Sequence, residues 1–474
     1  MRYAFPLSRL RYGIHTSSLK PPRMSDSLCR VGFGASDGAF TGAVWGPPPA
    51  KRGAFLLGRL LEQGGRAIRV RPLGGNRAGE IRLTRFLRNP AVSVEDMIAA
   101  AGLRTAERSR GREVLAIQDT TVIRSEGGGD YLHVVLAIDA LDGSILGLID
   151  GQFLHRQSGR RTQRRDAPVE DKESFRWLQG ADQAATVCAG ADRVTVVADR
   201  ESDIFEAFAL RPEGADLLVR AAQDRSLAEG GRLFAALDAL PEAARAELDL
   251  PAGPGRRART TQLAVRFATT TIARPKGGDR AGLADSVMVQ VVDVREPAPP
   301  PGCTPVHWRL LTTQPVRDAA EAWAVAETYR KRWAIEQLFR TLKTKGFDVE
   351  GLQIEDPEPR DKMVTAALVA AVHIQQLVHA RDGGPGPLRP CTDVFPPEDI
   401  PLLEAYCAKL EGKTERQKNP HPRGSLAYAA WVCARLGGWT GYYGKPGPAV
   451  MLDGWLEIQA AKRGIALFIP SHDV

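Results

Sequence analysis

Short apolar runs separated by glycine and aspartate predict a sheet in residues 111–212. Apolar positions at helical spacing in residues 174–191 and 204–210 place helices among these strands, so the region is predicted to be α/β. The predicted strands are residues 114–117, 132–138, 145–149 and 194–198, with further strands at 263–267, 287–292 and 308–312.

Helical patterns precede and follow this region. Phe55, Leu56, Leu60 and Leu61 recur at helix spacing, and one long helix is predicted at 319–345. The predicted units are a poorly ordered extension (1–50), a helical DNA-binding unit (51–110), the first part of a catalytic core (111–212), a β-rich insertion (213–305), the second part of the core with a long helix (306–380) and a helical C-terminal unit (381–474).

Positive charge is concentrated near the start of the predicted helices. The chain carries a net charge of +8, and residues 51–88 contain ten basic residues against Glu62 and Glu80. This composition favours binding to phosphate groups of a nucleic acid. The alternative is a solvated helix surface in an arginine-rich protein.

Other bulk features limit the class of protein. Six cysteines are scattered without a CxxC pair, which indicates a reducing cytoplasm and argues against a zinc ribbon. No apolar run approaches the roughly 20 residues that span a bilayer. The acid-poor residues 1–48 are typical either of a transit peptide or of a start codon placed too early, with Met24 as an alternative start.

Two aspartates follow predicted strands. Asp119 comes after residues 114–118 and Asp199 after residues 194–198, where a sheet delivers side chains to a crevice at its edge. Two carboxylates that meet there need protons or a cation between them, and Mg²⁺ prefers oxygen ligands. The alternative is that each aspartate caps a helix or a turn.

A third carboxylate lies on the predicted helix at 319–345. Its polar stripe contains Tyr329, Arg332, Glu336, Arg340 and Lys343. The cations keep Glu336 ionised and can bind phosphate oxygens. The alternative is a solvated face with helix-spaced ion pairs.

These residues resemble a known family. The string Tyr329-x2-Arg332-x3-Glu336-x6-Lys343 is similar to the Tyr-Arg-Glu-Lys signature of DDE transposases of the insertion-sequence-four (Tn-five-like) family. Residues 118–121 (QDTT) and 198–203 (ADRESD) resemble its two aspartate motifs, and residues 171–178 resemble a segment between them.

The resemblance implies an α/β fold with an RNase H-like mixed-sheet catalytic core, interrupted by a β-rich insertion and flanked by helical units. Asp119, Asp199 and Glu336 would be the catalytic residues and would bind two Mg²⁺ ions, for which Mn²⁺ can substitute. Tyr329, Arg332, Lys343 and Arg340 would contact DNA. Trp308 resembles a tryptophan that stacks on a flipped base, with a core position in a strand as the alternative.

The implied function is cut-and-paste transposition by a cytoplasmic, nucleoid-associated bacterial protein. The partners would be double-stranded DNA, as transposon ends and target, and a second copy of the chain in a homodimer assembled on DNA. Two alternatives stay open: a decayed or host-recruited DNA-binding protein, and a metal-dependent nuclease without strand transfer. The intact triad argues against the first alternative.

Overall fold

The computed structural model describes most of the chain from residue 47 onward. The described residues are 47–63, 68–124, 129–156, 168–250, 258–277, 282–343, 346–383, 388–442 and 444–466. Nearly all of the predicted extension 1–50 therefore lies outside the described residues.

The described strands form one sheet with the order β3-β2-β1-β4-β5-β9-β8-β7-β6. The strands are β1 (Glu113–Arg124), β2 (Asp130–Asp139), β3 (Ile145–His155), β4 (Arg193–Ala198), β5 (Ala215–Arg220), β6 (Ala244–Leu250), β7 (Arg259–Ala273), β8 (Ser286–Arg295) and β9 (His307–Thr312). The expected mixed α/β fold is confirmed.

The first five strands form an RNase H-like core. β1, β2 and β3 are antiparallel neighbours, whereas β1, β4 and β5 run parallel. β1 is longer than predicted, because the β-branched residues after Asp119 continue the strand and keep its pairing with β2. Asp119 therefore lies within the strand rather than after it, although the parallel pairing with β4 ends at Ile117.

The helices cover both faces of this core and extend it at both ends. They are α1 (Pro47–Gln63), α2 (Val70–Gly74), α3 (Arg77–Leu87), α4 (Val94–Ser109), α5 (Phe175–Val187), α6 (Phe205–Ala209), α7 (Leu233–Ala239), α8 (Ala319–Arg330), α9 (Trp333–Leu342), α10 (Pro357–Ala380), α11 (Ile400–Leu410), α12 (Leu426–Leu436) and α13 (Pro448–Ala466).

Alternation along β1 assigns its residues to two cores. Val114 and Ala116 pack with α5 on one face of the sheet, whereas Leu115 and Ile117 belong to the core that contains α9 and α10. Position 119 has the same parity as Leu115 and Ile117. Its side chain therefore lies on the face of the sheet that α9 covers.

The β-rich region joins the same sheet. β6, β7 and β8 form an antiparallel meander, and β9 pairs with both β8 and β5. Within the predicted insertion 213–305, β5 differs from the other strands, because it pairs in parallel with β4 as part of the five-stranded core. The remaining strands extend the sheet beyond β9.

The central helix α10 is strongly apolar. Among the described helices it has the length and composition of a membrane span, yet 89% of its most apolar window is buried inside the protein. It packs against α1, α4, α9, α12 and β3. This burial is typical of the core helix of a folded protein.

Candidate active site

Both aspartates lie just beyond the end of the parallel pairing between β1 and β4. The last parallel pair is Ile117 with Val197, and Asp119 and Asp199 each come two residues after it. Neighbouring strands are about 5 Å apart. Val197 shares its core with Ile117, so alternation places both carboxylates on the face that α9 covers.

Backbone amides hold both aspartate side chains. Asp119 Oδ1 accepts a hydrogen bond from the Thr120 amide at 2.8 Å. Asp199 Oδ1 accepts from the Glu201 amide at 2.9 Å and caps a short 3-10 helix, Arg200–Ser202. The capping alternative is thus realised at Asp199, and this hydrogen bond also sets the direction of its carboxylate.

The prediction of one long helix at 319–345 is wrong, because the structure has two helices there. α8 ends at Arg330 and α9 begins at Trp333. The Arg332 amide bonds to the Tyr329 carbonyl at 3.0 Å and the Ile335 amide bonds to the Arg332 carbonyl at 3.2 Å, a tighter pattern than the α-helical one. Glu336 lies in the first turn of α9, where its charge is favourable for the helix dipole.

Arg332 joins the carboxylates of two distant segments. Its Nη1 donates to Asp119 Oδ2 at 2.7 Å, and its Nη2 donates to Glu336 Oε1 at 2.7 Å. The two acceptor oxygens are therefore within about 8 Å of each other, the span of two hydrogen bonds and the guanidinium between them. All three side chains are mostly buried.

Electrostatics places Asp199 in the same cluster. Burial raises the pKa of Asp119 to about 6; the Arg332 cation opposes that rise, and the Asp199 carboxylate adds to it. Burial by itself would lower the pKa of Arg332, but Tyr329 and then Asp119, Glu336 and Asp199 raise it instead. Asp199 thus lies within electrostatic range of both Asp119 and Arg332.

A divalent cation fits the chemistry of these side chains. Every candidate metal ligand is a carboxylate oxygen, which is the ligand type that Mg²⁺ and Mn²⁺ accept. The three carboxylates together carry more negative charge than Arg332 neutralises. In the part of the chain that the structure describes, no three His, Cys, Asp or Glu side chains are already grouped as a metal site. The guanidinium of Arg332 lies between Asp119 and Glu336 and occupies one oxygen of each carboxylate, where a shared ion would compete with it.

Tyr329 and Trp308 form the inner wall beside this cluster. Their rings are tilted with centroids 6.3 Å apart, Tyr329 is buried and Trp308 is half-buried against the core. Burial raises the pKa of Tyr329, and the nearby cations of Arg332 and of Arg220, at the end of β5, oppose that rise. In this structure Trp308 packs against the core from a strand, which is the alternative to stacking on a flipped base.

The two remaining cations of the predicted stripe have different surroundings. Arg340 lies over the exposed ring of Trp333, 5.3 Å from its centroid. Lys343 follows the end of α9 and pairs with Glu350 at 2.8 Å, so it belongs to the next segment and not to the cluster.

The central segment of the chain is similar to a known protein family. Residues 178–372 match the transposase DDE domain family. The match contains Asp199, Glu336 and Arg332, and it supports a DDE transposase with an RNase H-like fold. Members of this family act on DNA and generally use divalent metal ions. The match supports the expectation of a transposase.

Two residues of the site were not predicted. Arg220 lies at the end of β5, and the apolar run of that strand is the sequence signal that would have pointed to it, as for the aspartates. Arg176 lies in the segment 171–178 noted above, and its contacts with Thr120 and Glu201 need the fold to be seen.

Proposed function

We propose that this protein is a cut-and-paste DNA transposase of the insertion-sequence-four type, with Asp119, Asp199 and Glu336 as metal-binding catalytic carboxylates. It would bind transposon ends as a dimer assembled on DNA, cleave them and join them to a target. The observation that carries the proposal is that Arg332 binds both Asp119 of β1 and Glu336 of α9. Asp199 lies within electrostatic range of this pair, and residues 178–372 match a transposase domain.

The carboxylates supply the chemistry that DNA cleavage requires. Two bound Mg²⁺ ions would supply activation of the attacking oxygen and stabilisation of the leaving oxygen. Asp119 and Asp199 would hold their carboxylates on one face of the sheet, and Glu336 would face them from α9. The backbone hydrogen bonds to both aspartates would limit their rotation before the metal enters.

Arg332 would exchange partners when metal and DNA bind. In the present arrangement its two terminal nitrogens are hydrogen-bonded to Asp119 and Glu336. Metal binding to those carboxylates would release the guanidinium, and a phosphate group is the ligand that its planar fork fits best. Arg332 would thus stabilise the carboxylates in the free protein and a DNA phosphate in the complex.

Exposed cationic and aromatic side chains favour DNA on this side of the molecule. Trp333 is 49% exposed in the first turn of α9 and carries Arg340 over its ring. An aromatic face with an adjacent arginine suits an unpaired base and its phosphate. Both residues are on the same short helix as Glu336.

The N-terminal helices offer a second DNA-binding surface. Six arginines of α2, α3 and their ends are exposed, and a Cβ at Gly79 would lie only 2.1 Å from the Gly74 carbonyl, so the two helices cross closely. This arrangement presents α3 as a basic helix toward solvent, which favours contact with DNA. The six are Arg69, Arg71, Arg77, Arg82, Arg85 and Arg88.

The test is incubation with the DNA that flanks the gene, with Mg²⁺, scoring nicks, hairpins and joined products. Wild-type protein should give all the products of cleavage and joining, whereas D119N, D199N and E336Q should bind this DNA and leave it intact. Glu350→Gln is the matched control, because Glu350 is an acidic residue outside the cluster.

The possible results separate the three functions. Nicked DNA without joined products would indicate a nuclease. Binding without any cleavage by the wild-type protein would indicate a DNA-binding protein. Cleavage by the D119N variant at the wild-type rate would show that Asp119 is not a catalytic residue.

A further inference from the structure

Arg176 lies behind the aspartates, on the opposite face of the sheet. It is in the first turn of α5, which packs on the face of β1 opposite to Asp119, and it is only 8% exposed. Each of its three guanidinium nitrogens has a separate acceptor. Nε donates to Thr120 Oγ1 at 3.2 Å, Nη1 to the Glu173 carbonyl at 2.7 Å and Nη2 to Glu201 Oε2 at 2.9 Å.

Two of these acceptors belong to the segments that carry the aspartates. Thr120 follows Asp119 directly, and its amide is the one that Asp119 accepts from. Glu201 is two residues after Asp199, and its amide is the one that Asp199 accepts from. One rigid planar group therefore joins the residues that orient both carboxylates.

Neighbouring contacts attach the same turn of α5 to β1 a second time. Gln118 donates to the Trp177 carbonyl at 3.3 Å, and His133 lies between Gln118 Oε1 and Thr120 Oγ1 at 3.0 Å from each. Burial lowers the pKa of His133 to about 3, so the ring is neutral and its two nitrogens serve as one donor and one acceptor. The residues on both sides of Asp119 are thus fixed from the α5 face.

We propose that Arg176 is a positioning residue that sets the separation and orientation of Asp119 and Asp199 for metal binding. It acts through Thr120 and Glu201 and contacts neither metal nor DNA. The proposal rests on the function proposed above, because it assigns Arg176 to the metal site formed by those aspartates. It also accounts for a buried cation that the catalytic chemistry itself does not use.

Arginine suits this role better than lysine. A guanidinium presents donors in several directions from one rigid plane, whereas an ammonium is a compact charge on a flexible stem. Lysine at position 176 can approach Glu201 or Thr120 but is poorly shaped to reach both together with the Glu173 carbonyl. R176K should therefore keep the charge and lose the positioning.

The test is a titration of the full-length protein with Mn²⁺ in the absence of DNA. Electron paramagnetic resonance measures the free Mn²⁺ at each step. R176K and R176Q should bind Mn²⁺ about 10- to 100-fold more weakly than wild type, the usual effect of losing a residue that orients metal ligands. R156K is the matched control: Arg156 pairs with the Glu173 carboxylate and lies over Tyr131, but contacts neither aspartate segment. It should bind Mn²⁺ like the wild type.

A milder variant guards against loss of folding. E201Q removes the charge that faces Arg176 while leaving the backbone amide that Asp199 uses, and its side chain is 64% exposed. Circular dichroism should show a wild-type fold, and Mn²⁺ affinity should fall several-fold. Wild-type affinity in folded R176K and E201Q would overturn the positioning role.

The wild-type and D119N proteins distinguish failure of this proposal from failure of the proposed function. If the wild type binds no Mn²⁺, or D119N binds it equally well, the metal site itself is absent and the positioning role falls with it. If D119N loses binding and the Arg176 variants keep it, only the role of Arg176 is contradicted.

Discussion

Arg332 is the residue on which the cluster depends. It is the shared cation of Asp119 and Glu336, two carboxylates that come from segments 217 positions apart in the numbering of the chain. Carboxylates that are mostly buried need such a partner, because desolvation disfavours their charge. A metal ion can supply the same charge, so arginine and metal should compete for these oxygens.

This competition predicts the behaviour of R332A. Without metal, the variant should be less stable than the wild type by about 1 to 3 kcal/mol, because two largely buried carboxylates lose a charged hydrogen-bond donor. Mn²⁺ should restore more stability to R332A than to the wild type, measured as the increase in Tm on adding the ion. Equal increases in the two proteins would show that Arg332 and the metal do not use the same oxygens.

At this scale the sequence predicted the three carboxylates, and helix spacing also allowed an ion pair between Arg332 and Glu336, but the contact of Arg332 with Asp119 was not predicted. Asp119 and Asp199 were predicted as site residues because each follows a recognisable apolar run, and Glu336 because it lies on a polar helical stripe. The stripe also contained Arg332. That its guanidinium would bind Asp119 depends on a contact between distant segments, which no local pattern contains.

Helices and strands were predicted correctly where the local sequence pattern determines them. The strand predicted at 194–198 is β4, Arg193–Ala198, and the hairpin of β2 and β3 lies where it was expected. The break between α8 and α9 was missed, because Lys331 and Arg332 are good helix formers and both keep helical backbone angles. The tightened turn lies next to the contact between Arg332 and Asp119 of β1, which is a tertiary contact that local sequence does not contain.

The contact between α12 and α13 gives a prediction at this scale. A Cβ at Gly454 would lie 1.7 Å from the Cys433 carbonyl oxygen, whereas a Cβ at Gly464 of the same helix meets nothing within 4 Å. G454A should therefore force the helices apart and destabilise the protein by about 1 to 3 kcal/mol or more. G464A should be neutral or slightly stabilising. Thermal unfolding checks both, and a wild-type Tm for G454A would contradict the close packing.

A histidine that joins β2, β3 and α10 makes stability depend on pH. His155 Nδ1 lies 2.7 Å from Asp130 and Nε2 lies 2.8 Å from Asp361. Burial lowers the pKa of His155, but the hydrogen bonds to both carboxylates outweigh it and the net pKa is raised. Its contribution to stability is therefore complete below its unfolded pKa of about 6.5 and is lost as pH rises through the folded pKa.

The expected result is a loss of Tm as pH rises above about 6.5 that is larger in the wild type than in H155Q. The difference between the two proteins isolates His155 from other groups that titrate in this range. An identical pH dependence in both proteins would show that the imidazole gains no charge stabilisation from Asp130 and Asp361.

One sheet organises the part of the chain that the structure describes. The β-rich strands were predicted, but their joining to the core through β9 and β5 was not, because strand order depends on pairings between residues far apart in sequence. In consequence Trp308 on β9 and Tyr329 on α8 both lie next to the carboxylate cluster. The strands beyond the core thus help to form one wall of the candidate site.

The charge of the whole molecule predicts salt-dependent DNA binding. R85A removes an exposed arginine from α3 and should weaken binding to all sequences alike. It should also reduce the slope of log affinity against log salt concentration by about one. R317A, which removes an exposed arginine outside the N-terminal helices, is the control and should leave the slope unchanged. Equal effects of the two variants would mean that α3 has no special part in DNA binding.

The most direct measurement of the central claim is a crystal structure of the protein with Mn²⁺, recorded with anomalous diffraction. The account predicts a manganese peak bound by oxygens of Asp119, Asp199 and Glu336, with the Arg332 guanidinium displaced from at least one of its two carboxylates. Manganese peaks elsewhere, with Arg332 still bound to both Asp119 and Glu336, would contradict it.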